Sequence, residues 1–465
     1  MRPQPLRSIP SWTLAVLLVP TVACTADVGI HDVVATLDPN IANVVHVTWT
    51  TDTPTFGAVE FGTDTGYGQA SPTEPEATTE HSATMLGLYA NSDYHFRVLG
   101  TPESGEVEQG DDAVTTTGAL PSEVPDVEIL TAFEPADARS MVLASWESID
   151  RTDSSIIVFD DDGAVVWYWL PETEGVNAVH ALADGTGVYY VDSLPDVGED
   201  ATLTIVTYGG QATSFPCAYC HHDVAELADG SFATVRSTFQ DIDGERIGGD
   251  QVVTIAADGT LTVVWDAFDH LTVVENIGWD AGQLPGAADW THANGIVYDA
   301  VSDSFLLSLY GPQTVVSIQH ATGLTNWVLG GPDNQFAGGE DIGVNHAPRF
   351  FEEGVLLFNN GRSAGGSKVV EWAVDPMNLT AEQTWSWAPE ARLYTPVLGD
   401  AHRYADGSVL SSWGITGHIL MSDTDGVIVG DAAVTAASLP INVGQVTPLT
   451  SLYPDIQAAH LSYSL

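Results

Sequence analysis

One stretch limits the fold more than any other: Asp289–Gly330, DWTHANGIVYDAVSDSFLLSLYGPQTVVSIQHATGLTNWVLGG. A polar cluster of Asp289, Trp290, His292 and Asn294 leads into GIVYD. SFLLSLY follows the turn Ala300–Asp303, and TVVSI runs through an ATG turn to NWVLG. β-Branched and aromatic runs cut by Asp, Gly and Ser read as one four-stranded antiparallel unit. Paler copies flank it. Trp-bearing strands recur after Gly turns in DDGAVVWYW, ADGTLTVVW and ATGLTNWVL. Strand openings recur in VNAVHALADG, HHDVAELADG, HANGIVYDAVSDS, NHAPRFFEEG and GDAHRYADG. With a first unit near Val127, the repeat gives six units of roughly 55 residues each. The expected fold class is therefore all-β, with a six-bladed β-propeller over residues 127–465. Runs of helical period are nearly absent, and a two-sheet sandwich would not generate the repeat.

Ahead of the repeat, residues 27–117 read as a small β-sandwich. VVHVTWTT alternates around Trp49, and FGAVEFG, HSATMLGL and DYHFRVLG follow. LYANSDYHFRV resembles the tyrosine-corner stretch of a fibronectin type III domain, which implies that Tyr94 takes the corner. GALPSEVPD, with its two prolines, supplies a linker at 118–126. Residues 1–24 read as an export signal: Arg2 and Arg7 form the positive region and Leu14–Val19 a short apolar one. Thr21-Val-Ala-Cys24 resembles a bacterial lipobox and implies lipidation at Cys24. The expected location is thus outside the cytoplasm, in the periplasm or at the cell surface, with membrane contact only through that lipid.

Charge narrows the partners. Sixty-three acidic residues face twelve basic ones, for a formal charge of −51. Such a surface cannot bind nucleic acid by releasing counter-ions, which needs clustered Lys and Arg. Asp241-Ile-Asp243-Gly and Asp423-Thr-Asp425-Gly could hold calcium as a structural ion, but neither carries a full ligand set, and hairpin turns favour Asp-Gly in any case. With Cys24 lipidated, Cys217 and Cys220 remain as a pair, and an oxidising compartment favours a disulfide between them. Cys217-Ala-Tyr-Cys220-His221 also matches the string that attaches c-type haem. A strand pattern follows it rather than a helix, so no cofactor is expected.

The histidines sort by register. Leu182, Leu227, Phe351 and Tyr404 each stand three residues before a turn glycine. Measured from these, His222 and His346 lie five residues earlier and His180 and His402 two earlier. An offset of three places the two classes on opposite faces of a strand. His292 lies five before Val297, so His222, His292 and His346 form one set aimed at the channel. His180 and His402 are expected between blades. Three converging imidazoles could pack by hydrogen bonding, hold a metal with an open position, or carry chemistry.

The openings HHD (His221–Asp223), DWTHAN (Asp289–Asn294) and NHAPRFFEEGVLLFNNGR (Asn345–Arg362), in that order and at blade spacing, resemble those of the bacterial arylsulfate sulfotransferase family. The resemblance covers about 340 residues at the blade period. It implies transfer of a sulfuryl group from a phenolic sulfate ester to a phenolic acceptor, without a nucleotide donor and through a sulfohistidine. By position, His346 would take the group. His222 and His292 would act as acid, base and oxygen donors, with Asn294 beside them. The chemistry is coherent, because a neutral imidazole is a good nucleophile and a second one near its own pKa can move the phenolic proton. One departure stands out. The family's arginine, eighteen residues past His292, is replaced here by Tyr310. Arg362, Arg349 or Arg236 could supply the missing charge. The substrate-binding candidates are therefore Asn294, Tyr310, Arg362 and Arg349. Two further readings stay open: an exported propeller that binds without turnover, and a metal- or haem-dependent enzyme.

Overall fold

The structure, a computed structural model, describes residues 28–454 apart from 104, 134–140, 149–152, 173–174, 177, 194–197, 275–283, 285, 352–353, 362–365, 391–392 and 437–438. The expected signal, Cys24 and Arg362 lie outside the described residues.

Six antiparallel sheets form the blades of a propeller. Blade 3 is Cys220–Glu226, Phe232–Ile242, Glu245–Ile255 and Leu261–Asp266. Blade 4 is Ala293–Asp299, Ser304–Leu309, Thr314–Gln319 and Thr325–Leu329. Blade 5 is Asn345–Phe351, Gly354–Asn359, Lys368–Asp375 and Thr380–Trp387. Blade 2 begins at Val179–Ala181 and blade 6 at Asp400–Arg403. Between blades the strands are apolar on both faces. Ala233, Val235, Phe305 and Leu307, for example, are buried in one cluster between blades 3 and 4.

The recurring tryptophans hold neighbours together. The indole N–H of Trp167, on the outer strand Val165–Trp169 of blade 1, donates to the Tyr208 carbonyl in blade 2 at 3.0 Å. Trp265 in blade 3 donates to Thr325 Oγ1 in blade 4 at 3.0 Å, and Trp387 in blade 5 to the Gly426 carbonyl in blade 6 at 2.9 Å. A buried indole needs such a partner, and each ring adds a large apolar area to the gap between blades. The Asp-Gly turns are explained by backbone geometry. Asp243 (φ 53) and Gly244 (φ 90) are the two loop residues between paired Ile242 and Glu245, a hairpin turn that needs positive φ at both positions.

The ring closes differently from the expected start of the repeat. Val127 does not open blade 1. Its strand, Asp126–Thr131, pairs with Ile428–Ala436 on the outer edge of blade 6. The inner strand of blade 1 is Asn442–Leu449 from the C-terminal end, paired with Met141–Glu147. Both ends of the propeller segment therefore lock the ring.

In the N-terminal unit, Val45–Gly62 belongs to two groups of strands. Its first half pairs with Ile30–Leu37 and Thr78–Met85, its second with Asp93–Thr101. Trp49, Val59, Phe61, Tyr94 and Phe96 fill its core. Tyr94 Oη accepts the Tyr89 N–H at 2.8 Å. The unit is fastened to the propeller. Tyr168 Oη accepts the Ala42 N–H at 2.8 Å, and Tyr453 donates to the Thr84 carbonyl and accepts from the Leu86 N–H at 2.8 and 2.9 Å. Replacing Tyr453 with Phe strands both backbone groups. The variant is expected to lose about 1–3 kcal/mol in urea unfolding.

Candidate functional site

The inner strands are bulged where they approach the axis. Pairing slips between His221 and Val224, between Ala293 and Gly295, and between His346 and Arg349. The backbone is left-handed at His222 (φ 60), His292 (φ 46) and Ala347 (φ 44). That conformation costs a non-glycine residue about 1–3 kcal/mol, and it bends a strand so as to re-aim its side chains. Here the bends bring three blades' rings together. His222 and His292 have centroids 4.9 Å apart, His292 and Tyr310 5.5 Å, and Tyr310 and His346 5.8 Å.

The three histidines are not strictly equivalent, however. The inner strands last pair at Leu227, Asp299 and Phe351. His222 and His346 stand five residues before that point, but His292 stands seven before it. Asn294 fills their slot in blade 4. The longer turn after Asp299 makes Val297 a misleading anchor. His292 stands just before the strand, beyond the bulge at Ala293/Gly295, and its left-handed backbone turns the ring toward the others.

Hydrogen bonds fix the tautomer of His346. The amide nitrogen of Asn360 donates to the carbonyls of Thr395 (3.0 Å) and Leu398 (2.7 Å). Its oxygen therefore faces His346 Nδ1, 2.6 Å away, and must accept from it. The lone pair is left on Nε2, which accepts the Leu398 N–H at 3.3 Å. Burial pushes the His346 pKa down to about 4, the Asn360 bond opposes this, and the neighbouring His292 adds to it. At neutral pH the ring is thus uncharged, with its proton on Nδ1 and its lone pair on Nε2.

His292 is set by a carboxylate: Asp289 Oδ2 accepts from Nδ1 at 2.6 Å. Asp289 is held by pairing of Ala288–Asp289 with the extended hairpin of blade 3, where Gly248 stands opposite it. His222 Nδ1 lies 2.7 Å from His221 Nδ1, and His221 Nε2 lies 3.0 Å from Asp250 Oδ1. Burial opposes ionisation of Asp250, but the charge of His221 and its hydrogen bonds outweigh that and lower its pKa. Sequence reasoning did not assign Asp250, Asn360 or the pairing of His221. An aspartate inside an apolar strand, the doubled histidine and the Asn359-Asn360 pair were the available signals.

The remaining candidates are engaged elsewhere. Asn294 donates to the Asn345 carbonyl at 2.9 Å and accepts from Ser308 Oγ at 2.5 Å, tying blade 4 to the residue before His346. Tyr310 donates to the Pro396 carbonyl at 3.3 Å. Arg349 grips Asp400, with Nη2 2.9 Å from both carboxylate oxygens. It lines a separate cavity of about 100 Å³ with His180, Asp223 and Gln445, among others, whose walls include none of the three histidines. Arg236 donates to Gln251. His180 reaches across to Asp223 of the next blade at 2.7 Å, and His402 lies 3.2 Å from Asp400. Cys217 and Cys220 are joined in a disulfide just before His221, with Cα atoms 5.4 Å apart. Both sulfurs are thereby bonded to each other, and the nitrogens of His221 face His222 and Asp250. Among the described residues, no three His, Cys, Asp or Glu side chains are grouped to hold a metal ion.

No curated protein matches this chain. Among solved structures, a protein of unknown function from Bacteroides caccae is 12% identical with a TM-score of 0.44, over 67% of this chain and 100% of that one. TolB from Acinetobacter baumannii is 9% identical with a TM-score of 0.41, over 78% and 80%. At TM-scores under 0.5 these likenesses carry no argument. The family comparison does: residues 132–428 match the arylsulfotransferase model, a span that holds every histidine of the cluster and runs from the first blade into the sixth. With well over half its length so matched, the chain belongs to the arylsulfotransferase (ASST) family.

Proposed function

We propose that the protein moves a sulfuryl group from an aryl sulfate to a phenol through a covalent intermediate on His346. The observation that carries this reading is the state of that ring: buried, neutral at pH 7, and with its lone pair on Nε2, where attack on sulfur would release the Leu398 N–H, because Asn360 accepts from Nδ1. In the first half-reaction Nε2 bonds to sulfur as the bond from sulfur to the aryl oxygen breaks. The departing phenolate takes a proton from a neighbouring imidazolium. In the second, the oxygen of the acceptor phenol attacks sulfur, the N–S bond breaks, and the phenolic proton returns to the imidazole.

Asp289, 2.6 Å from His292 Nδ1, fixes the orientation of that ring beside His222. The sulfuryl oxygens gain negative charge in each transition state and need fixed donors. The Leu398 N–H, already directed at Nε2, is one; the Tyr310 hydroxyl, in the slot of the family's arginine, becomes another only by giving up its bond to the Pro396 carbonyl. An export signal and lipid at Cys24 would deliver this activity outside the cytoplasm, where a nucleotide-free donor is an advantage.

A second reading, a propeller that binds aryl sulfates without turnover, is favoured by one observation: Arg349 and Arg236 are bound to Asp400 and Gln251 rather than directed at the histidines. Incubation with para-nitrophenyl sulfate and excess phenol separates the two. Transfer predicts nitrophenol release that depends on the acceptor; binding alone predicts none. The pH profile adds a check. Only unprotonated His346 can attack, so the acid limb of kcat/KM assigned to it is expected near pH 4, below the value of about 6.5 for an ordinary histidine.

A further inference from the structure

A doubled histidine with a buried aspartate behind it stands beside the cluster, and sulfuryl transfer as outlined does not yet use it. We infer that Asp250, His221 and His222 form a proton relay, in which a proton taken up at His222 Nε2 releases the one on Nδ1 to His221 Nδ1, so that the positive charge comes to rest on His221 with its Nε2–H against Asp250. The inference deepens the sulfuryl-transfer reading and rests on it.

The geometry supports each link. Asp250 is buried, and its Oδ1 lies 3.0 Å from His221 Nε2. Ser237 Oγ bridges the same two groups, 3.0 Å from Nε2 and 3.2 Å from Oδ1. The other oxygen, Oδ2, accepts from Thr291 Oγ1 and the Ala293 N–H, both at 2.7 Å. A carboxylate so surrounded is fixed in place, and it keeps the His221 proton on Nε2. His221 Nδ1 must then accept when His222 Nδ1, 2.7 Å away, donates. A proton can cross this short contact without either ring moving.

Charge balance gives the relay its purpose. Among the described residues, the titratable groups facing it include His292 against His222, with Asp289 behind His292. Two imidazolium rings with centroids 4.9 Å apart would repel each other strongly in a buried site. Passing the charge from His222 to His221 moves it away from His292 and next to Asp250. The resting enzyme can then hold the proton needed by a leaving phenolate while His346 and His292 keep their own states. In the sulfated enzyme that proton has left with the first phenol, and the acceptor restores it. His221 and Asp250 touch no substrate and act through His222, as positioning residues.

The test uses two donors that differ in their need for an acid. Phenyl sulfate releases a phenolate as basic as tyrosine's, pKa about 10; para-nitrophenyl sulfate releases a much weaker base. His221→Gln is expected to slow turnover of phenyl sulfate by about 100-fold and of the nitrophenyl ester by less than about 10-fold, and to shift the alkaline limb of the pH profile. Asp250→Asn, which keeps the side chain's size, should show the same split and serves if the first variant does not fold. Equal losses on both donors with an unmoved profile would mean that the two residues only pack, and the relay is overturned. A split seen in His292→Asn alone would assign the proton to His292 and Asp289 and overturn it too. Wild-type protein inert toward both donors would overturn the sulfotransferase reading, and the relay with it.

Discussion

Replacing His346 with alanine is expected to lower transfer from an aryl sulfate to a phenol by about four orders of magnitude or more, because residues that form the covalent bond cannot be replaced by their neighbours. The fold should survive. The ring is buried in a site bounded by three blades, and its loss leaves Asn360 Oδ1 without its partner at 2.6 Å, a cost of about 1–3 kcal/mol. Circular dichroism and urea unfolding should therefore show a folded, somewhat weaker protein. Activity measured with excess acceptor reads the chemistry. A loss under about tenfold would mean that the group is carried by another residue or passes directly between the phenols. Replacing Asn360 with Leu should give an intermediate loss, since it frees the tautomer without removing the nucleophile.

Arg349→Met is expected to destabilise the protein by about 3–5 kcal/mol, the usual consequence of leaving a buried charge without its partner. Asp400 has no solvent exposure, and its carboxylate accepts from Arg349, from the Ala401 N–H at 2.7 Å and from the Val446 N–H at 3.2 Å. These contacts join blades 5, 6 and 1 where the ring closes. Burial alone would raise the Asp400 pKa, but the guanidinium beside it holds the carboxyl well below the usual range. The sign follows from linkage. A depressed carboxylate contributes stability that is fully present above the unfolded value of about 3.9 and is lost as pH falls below it. Arg349→Met should remove that contribution, so its deficit is largest at neutral pH. Arg349→Met with Asp400→Leu should recover part of the loss, because no orphan charge remains. A deficit below about 1 kcal/mol would indicate a solvent-screened pair of the exposed kind.

Much of the fold was legible because each blade must satisfy the same local demands. The Trp-bearing strands, the Asp-Gly turns and the apolar runs between them all reappear in the blades. Ring closure was not legible. Asn442–Leu449 carries neither the tryptophan nor the glycine turn of the repeat, and its partner strand lies some 300 residues away in sequence. The strand at Val127 looked like a start because its apolar pattern suits any sheet edge.

The histidine set was read from spacing to a turn, and that worked where the turns matched. It failed by two residues at His292, where Asp299 rather than Val297 ends the pairing. The bulge at Ala293/Gly295 and the left-handed backbone of His292 brought its ring to the cluster all the same. The supporting partners were hidden for a different reason. Asp250 meets His221 only after two strand registers are set, and Asn360 meets His346 across a hairpin. Arg349, three residues past His346, was a candidate for the missing charge, yet the bulge between them turns it to Asp400 instead.

The account depends on Nε2 of His346 becoming bonded to sulfur. The direct measurement is peptide mass mapping of protein mixed with an aryl sulfate and no acceptor, quenched under alkaline conditions that preserve N–S bonds. The prediction is one added sulfuryl group on the peptide containing His346, which disappears when phenol is supplied. An unmodified His346 peptide in protein that still releases nitrophenol, or a sulfuryl group found on His222 or His292 instead, would contradict it.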